Sequence, residues 1–108
     1  MGQTLTHEII PGIPEPYSIK ILELIATVSP DEVILFGSRA KGNYREGSDI
    51  DLAIKGAHLT LEHRSSLQLK YPELNLPWKL DLVIYHLIEE PRLKEHIDQL
   101  GLPLKKFT

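Results

Sequence analysis

Residues 49–55 constrain the fold most strongly, because charged and apolar side chains alternate along them: Asp-Ile-Asp-Leu-Ala-Ile-Lys. Successive side chains of a β-strand point to opposite faces of the sheet, so Ile50, Leu52 and Ile54 share one face and Asp49 and Asp51 share the other. Two carboxylates held close together repel each other. The pattern therefore predicts a strand whose acidic face meets a compensating positive charge.

A glycine-serine pair lies shortly before this strand. The apolar run Glu32–Phe36 predicts another strand, and Gly37 stops it. A glycine lets the backbone approach a phosphate closely, and Ser38 is a candidate N-cap for a short helical segment whose free amides attract anions. Arg39 and Lys41 could offset further phosphate charge. Taken alone, a glycine-serine pair is more often a simple strand-to-helix turn, and Arg39 and Lys41 are by default solvent-exposed charges.

A third carboxylate follows later in the chain. Residues 80–84 alternate in the same way as the acidic strand, with Asp81 opposite the aliphatic positions. If the two strands are neighbours, Asp81 joins Asp49 and Asp51 on one face. Carboxylates without histidine or thiolate ligands favour a hard cation such as Mg²⁺, held together with substrate phosphates. Asp49 could equally cap a turn after Ser48.

The remaining sequence predicts a small domain with an N-terminal arm. Prolines at positions 11, 14 and 16 indicate an extended arm over residues 1–16, and residues 17–108 form a single domain. Apolar residues at helical spacing predict helices over residues 17–29, 61–74 and 90–100.

Composition limits the class of protein. With 108 residues, 42% hydrophobic and 25% charged, the chain fits one globular domain. A net charge of -3 argues against direct binding of nucleic acid. Cysteine is absent, and no apolar run approaches the roughly 20 residues of a membrane-spanning helix. These features favour a cytoplasmic protein that does not enter a membrane.

The combination resembles a known family. Gly37-Ser38, ten intervening residues and Asp49-x-Asp51 resemble the signature of the DNA polymerase beta-like nucleotidyltransferase superfamily. The string FGSRAKGNYREGSDIDLAI is similar to its minimal nucleotidyltransferase (MNT) domains, and LPWKLDLV is similar to their third-carboxylate strand. The resemblance implies an α/β (α+β) fold in which helices flank a small mixed sheet.

The resemblance also implies roles for the residues singled out above. The carboxylates of Asp49, Asp51 and Asp81 would be catalytic and would hold magnesium, with two ions expected. ATP would be the substrate, and its phosphates would contact a nucleotide-binding group made of Gly37, Ser38, Arg39 and Lys41.

Many MNT proteins are antitoxins of helical HEPN-domain toxins that cleave RNA, and some transfer AMP to a tyrosine of the toxin. We therefore expect a magnesium-dependent protein adenylyltransferase that acts as the antitoxin of a HEPN partner, with the partner protein replacing a separate acceptor-binding domain. Two alternatives remain open at this point. One is a non-catalytic module that inhibits its partner by contact, and the other is nucleotidyl transfer to a small molecule with the help of a partner subunit.

Overall fold

Residues 8–106 of the chain are described by a computed structural model, in which helices and strands alternate. The strands are β1 (Glu32–Phe36), β2 (Ile50–Lys55), β3 (Leu80–Ile84) and β4 (Leu102–Lys106). The helices are α1 (Glu15–Ala26), α2 (Gly37–Lys41), α3 (Leu61–Lys70) and α4 (Pro91–Leu100). Short 3-10 segments, Tyr71–Leu74 and Tyr85–Leu87, follow α3 and β3.

The strands form one mixed sheet in the order β3-β2-β1-β4. β1 pairs antiparallel with both β2 and β4, whereas β2 and β3 are parallel neighbours. A parallel pair needs a crossover connection, and α3 supplies it between β2 and β3. The predicted fold class, a small mixed sheet flanked by helices, is confirmed.

The two faces of the sheet are covered differently. One face carries the larger apolar cluster, in which α1 and α3 pack against the strands; its fully buried members include Ile21, Ile25, Leu35, Leu52 and Leu82. The opposite face carries a smaller cluster that α4 covers, made of Ile34, Phe36, Ala53 and Ile97. Because β2 alternates as predicted, its acidic positions fall on the face covered by α4.

The N-terminal segment differs from the predicted extended arm. Residues 9–13 form turns, and the amide of Ile13 donates a hydrogen bond of 3.0 Å to the carbonyl of Ile10. Both isoleucines are fully buried, and α1 begins at Glu15 because Pro16 suits a first helical turn. The described part of the arm is therefore folded onto the core, and residues 1–7 lie outside the described residues. The division of the chain after residue 16 stays a prediction.

The C-terminal strand was missed by the sequence interpretation. β4 has only five residues and contains Pro103, which removes a backbone donor and weakens the pattern of a strand. It is nevertheless ordered at the edge of the sheet by antiparallel pairing with β1. The predicted helix over residues 61–74 is also shorter, since α3 ends at Lys70 and a 3-10 turn containing Pro72 follows.

Within residues 8–106, none of the helices has the length and apolar character needed to cross a membrane.

Candidate active site

The candidate site lies in one row across three strands. In the pairing register, Asp51 of β2 stands beside Phe36 of antiparallel β1 on one side and beside Asp81 of parallel β3 on the other. Asp51 is half-buried and Asp81 is exposed. The predicted neighbourhood of the two strands is therefore confirmed, and the two carboxylates belong to the same face of the sheet.

Asp51 has the most perturbed electrostatics of the site. Burial, followed by the nearby negative charges of Asp81 and Asp49, raises the pKa of Asp51 to about 6, while Arg39 acts in the opposite direction. A carboxyl group that titrates near neutrality carries an unfavourable negative charge above that pH. As the sequence predicts, the negative charge on Asp51 is unfavourable in this arrangement. A cation bound beside Asp51 would stabilise that charge.

Asp49 lies just before β2 and is exposed, and it contributes to the negative potential at Asp51. Within the part of the chain that the structure describes, however, no three histidine, aspartate or glutamate side chains are placed so that they could hold a metal ion as a set. The protein thus brings three carboxylates into electrostatic contact without closing a metal cage. Mg²⁺ commonly takes one or two carboxylates and completes its shell with water and substrate phosphates.

Gly37 lies close to the Asp51 carboxylate because it has no side chain. It follows β1 directly, has φ +76, and an added Cβ would collide with the carboxylate of Asp51. Both the positive φ and the close approach require glycine at this position. The glycine of the predicted pair therefore lets the Asp51 carboxylate lie against the backbone of the turn.

Ser38 and Lys41 lie in α2, which begins at Gly37. The prediction that Ser38 is the N-cap is wrong, because Phe36 occupies that position and makes no side-chain cap. Ser38 is half-buried. Lys41 is exposed in the last turn, and Gly42 ends the helix in the left-handed conformation, as predicted.

Arg39, predicted as a nucleotide contact, lies in the interior of the protein beside the site. It is only 1% exposed, and its guanidinium donates hydrogen bonds to the carbonyls of Pro11 (2.7 Å), Ser48 (2.8 Å) and Glu46 (3.4 Å). It also stacks over the ring of Tyr44, 5.0 Å from the ring centre. Because these carbonyls already occupy its donors, Arg39 ties the N-terminal turn to the loop before β2. The predicted contact of Arg39 with a nucleotide stays a prediction, and the contacts within the protein give this residue a structural role.

His96 is the neighbour of the site that the sequence interpretation missed. The amide of Gly37 donates a hydrogen bond of 3.4 Å to Nε2 of His96, which lies on α4, 59 residues further along the chain. The imidazole ring also meets the ring of Phe36 edge to face, with 6.3 Å between ring centres. No sequence motif links these residues, since the contact depends on how α4 crosses the sheet.

The fold and this row of residues define the class of the protein. The polymerase beta nucleotidyltransferase family matches residues 20–106. This range covers most of the chain and contains every candidate site residue. The chain belongs to this family.

Three known proteins give the similarity more detail. The chain is 37% identical over 62 residues to the Haemophilus influenzae protein named "Probable protein adenylyltransferase MntA", a match that covers 56% of this chain and 54% of that protein. The chain thus spans about half the length of this curated relative. A crystal structure of a toxin–antitoxin complex with AMP-PNP matches with 28% identity and a TM-score of 0.66, covering 87% of this chain and 74% of the other. A structure of a tri-AMPylated Shewanella oneidensis HEPN toxin with its MNT antitoxin matches with 25% identity and a TM-score of 0.64, covering 85% and 71%.

Proposed function

We propose that the protein is a magnesium-dependent adenylyltransferase that moves AMP from ATP onto a hydroxyl group, most simply a tyrosine, of a HEPN-type RNase toxin and thereby acts as its antitoxin. The observation that carries the proposal is the paired placement of Asp51 and Asp81 beside a glycine turn. The names of the similar proteins support the choice of reaction and partner, since one is an adenylyltransferase and another is an antitoxin bound to an AMPylated toxin. Both ATP and the RNA that such a toxin cleaves place this activity in the cytoplasm.

The residues present fit magnesium. Asp51 is half-buried with its pKa raised to about 6, and the surrounding carboxylates of Asp49 and Asp81 provide oxygen ligands of the kind that this ion prefers. In this proposal the carboxylates of Asp49, Asp51 and Asp81 would hold the ions together with phosphate oxygens and water. When bound, magnesium would neutralise negative charge on the phosphates and on the leaving group.

The turn before α2 would receive the triphosphate. Gly37 contributes a backbone without a Cβ, which leaves room beside Asp51, and Ser38 contributes its hydroxyl. Lys41 is an exposed cation on the same short helix, and in this proposal it offsets phosphate charge. Arg39 supports this turn from the protein interior through its three carbonyl partners.

The transfer step itself is a substitution at phosphorus. The acceptor oxygen forms a bond to the α-phosphorus of ATP while the bond from that phosphorus to the bridging oxygen breaks, and pyrophosphate leaves. The acceptor loses its proton, and Asp81 is placed to take it because this carboxylate is exposed at the outer strand of the site. Asp81 is thus accessible to a hydroxyl group on a protein partner.

The direct test is transfer of label from ATP carrying a labelled α-phosphate. The full chain is purified together with the protein encoded by the neighbouring gene, magnesium is supplied, and label on either protein is measured. Asp49→Asn removes a proposed ligand, and Asp31→Asn is the matched control, because Asp31 is an exposed aspartate outside the site.

Label on the partner that Asp49→Asn abolishes and Asp31→Asn preserves would support the proposal. Tight binding of the partner without transfer, unchanged in Asp49→Asn, would contradict it and favour an antitoxin that acts by contact alone. Transfer to a small molecule in place of the partner would also contradict it.

A further inference from the structure

The hydrogen bond between Gly37 and His96 joins the turn of the site to α4, a helix that is distant in sequence. The amide of Gly37 is the donor, so Nε2 of His96 must be the accepting nitrogen, which places the ring proton of the neutral form on Nδ1. α2 has no side-chain N-cap. His96 is thus the group that satisfies the first backbone donor of the turn.

His96 is held in place from two sides. Its ring meets Phe36, the last residue of β1, edge to face. The next residue on α4, Ile97, is 2% exposed and packs in the cluster with Phe36 and Ala53. Since the backbone of α4 cannot shift without disturbing that cluster, the acceptor nitrogen of His96 has a fixed position relative to β1.

Gly37 needs such support because its conformation is unusual. Glycine has the largest backbone freedom of all residues, and at φ +76 it occupies a region that it could leave at little cost. A rotation of its peptide would move the turn relative to the Asp51 carboxylate, which lies against its Cα. A hydrogen bond from its amide to a fixed acceptor selects one orientation of this peptide.

We propose that His96 is a positioning residue for the nucleotide site: by accepting the hydrogen bond from Gly37, it holds the turn in the orientation that receives the triphosphate. This proposal rests on the proposed function, because it assumes that the turn binds ATP. His96 acts through Gly37 and touches neither substrate nor the reacting atoms. It follows that the amide of Gly37 is engaged by the protein, and that Ser38 supplies the polar contact of the turn.

Two amide substitutions at His96 distinguish the loss of the hydrogen-bond acceptor from the loss of ring packing. In His96→Gln the side-chain oxygen reaches about as far as Nε2, whereas in His96→Asn it ends about where Nδ1 lies and cannot reach the Gly37 amide. Both side chains are neutral and smaller than imidazole, so they disturb the contact with Phe36 to a similar degree. His86→Asn is the control for loss of an imidazole, because His86 is exposed on the 3-10 segment after β3.

The first measurement is hydrogen exchange of the Gly37 amide by NMR on the full chain without nucleotide. We expect exchange in His96→Asn to be roughly three- to tenfold faster than in the unaltered protein, the range expected for loss of one hydrogen bond, with His96→Gln and His86→Asn near the unaltered rate. The second measurement is ATP binding by calorimetry in the presence of magnesium, where His96→Asn should raise Kd by a similar factor and His96→Gln should restore it. In the transfer assay the KM for ATP should rise in His96→Asn, with kcat within about twofold of the unaltered value.

The outcomes separate this proposal from the proposed function. If ATP binding follows the acceptor pattern but no AMP is transferred, the positioning role stands and the proposed reaction fails. If transfer occurs and all His96 variants share the same exchange rate and Kd, the reaction stands and the positioning role is wrong. If His96→Gln is as impaired as His96→Asn, packing of the ring matters and the acceptor does not, which also overturns the proposal.

Discussion

Asp51 of β2 and Asp81 of β3 are paired directly with each other in the register of these two parallel strands, so the two carboxylates lie side by side. Side chains paired directly across strands interact strongly, and like charges in such pairs destabilise a sheet. Together with burial, this pairing explains why the pKa of Asp51 is raised to about 6. The fold tolerates an unfavourable charge at the point where the proposed chemistry needs one.

Removing that charge should stabilise the protein. At pH 8 we expect Asp51→Asn to raise the free energy of unfolding by about 1 kcal/mol, a value reduced for screening because the carboxylate is half-exposed. For a domain of this size the melting temperature would rise by roughly 4 to 8 °C. Transfer of AMP should be lost in the same variant. Asp31→Asn should change neither property, and a less stable Asp51→Asn would contradict the electrostatic account.

The stabilisation should depend on pH with a defined sign. The folded-state pKa of Asp51 is about 6 against an ordinary value of 3.8, so between these values the folded protein binds more protons than the unfolded chain. The contribution of Asp51 is therefore most favourable below about pH 4, and it is lost as the pH rises through 6. The difference in stability between Asp51→Asn and the unaltered protein should consequently be present at pH 8 and absent near pH 4, as chemical denaturation at each pH would measure.

Stabilisation by magnesium should increase with pH, opposite to the contribution of Asp51 itself. The ion binds the ionised form of Asp51, so protons compete with it below a pH of about 6. We expect millimolar Mg²⁺ with ATP to raise the melting temperature at pH 8 and to raise it much less at pH 5. Asp49→Asn should weaken the effect at pH 8. An equal shift at both values would mean that the cation does not bind through Asp51.

Alanine substitutions at three glycines distinguish the cost of a positive φ from the cost of the collision between an added Cβ and Asp51 at Gly37. Gly37→Ala combines a positive φ with a collision against the Asp51 carboxylate, whereas Gly42→Ala combines a positive φ of 87 with open space, and Gly47→Ala meets nothing within 4 Å. We expect losses of about 2 to 4 kcal/mol, about 1 kcal/mol and nearly zero respectively, measured by chemical denaturation. Equal losses at Gly37 and Gly42 would exclude a role for the contact with Asp51.

Arg39 and Lys41 should differ in what they affect, although both are cations of α2. Arg39→Lys removes several hydrogen bonds from a buried site and should lower the free energy of unfolding by about 1 to 3 kcal/mol. Lys41→Ala should leave stability nearly unchanged, because Lys41 is exposed, and should weaken ATP binding. Thermal melting and calorimetry with ATP measure the two effects. A reversed pattern would support Arg39 as a nucleotide contact.

Ser38→Ala tests the remaining polar group of the turn. Since Phe36 is the N-cap of α2, loss of the Ser38 hydroxyl should change the melting temperature little while raising the Kd for ATP several-fold. Ser48→Ala is a useful comparison, because the Ser48 hydroxyl accepts a hydrogen bond of 2.8 Å from the amide of Arg45 within the loop. A variant of Ser38 that melts early but binds ATP normally would give this residue a structural role only.

Local sequence patterns predicted the parts of the site that depend on strand geometry. The alternation of β2 and β3 predicted which side chains share a face within each strand, because the two-residue period of a strand is independent of the rest of the fold. Placing Asp51 and Asp81 on one common face also required the assumption that the two strands are neighbours, which the structure confirms. The role of Arg39 was not predictable in this way, since its partner Pro11 is 28 residues away and the contact exists only once the N-terminal turn folds onto the core. The same holds for His96, whose distance of 59 residues from Gly37 leaves no local signal.

The unequal covering of the two sheet faces determines the direction from which a large acceptor can arrive. In the described part of the chain, α1 and α3 fill the face opposite Asp51, while the face that carries Asp51 and Asp81 is covered by α4. In the proposed reaction a protein substrate would therefore approach over the side of α4, and the outer surfaces of α1 and α3 would point away from it. An antibody fragment raised against α4 would obstruct the acceptor, whereas one bound to the outer surface of α1 would leave the route open.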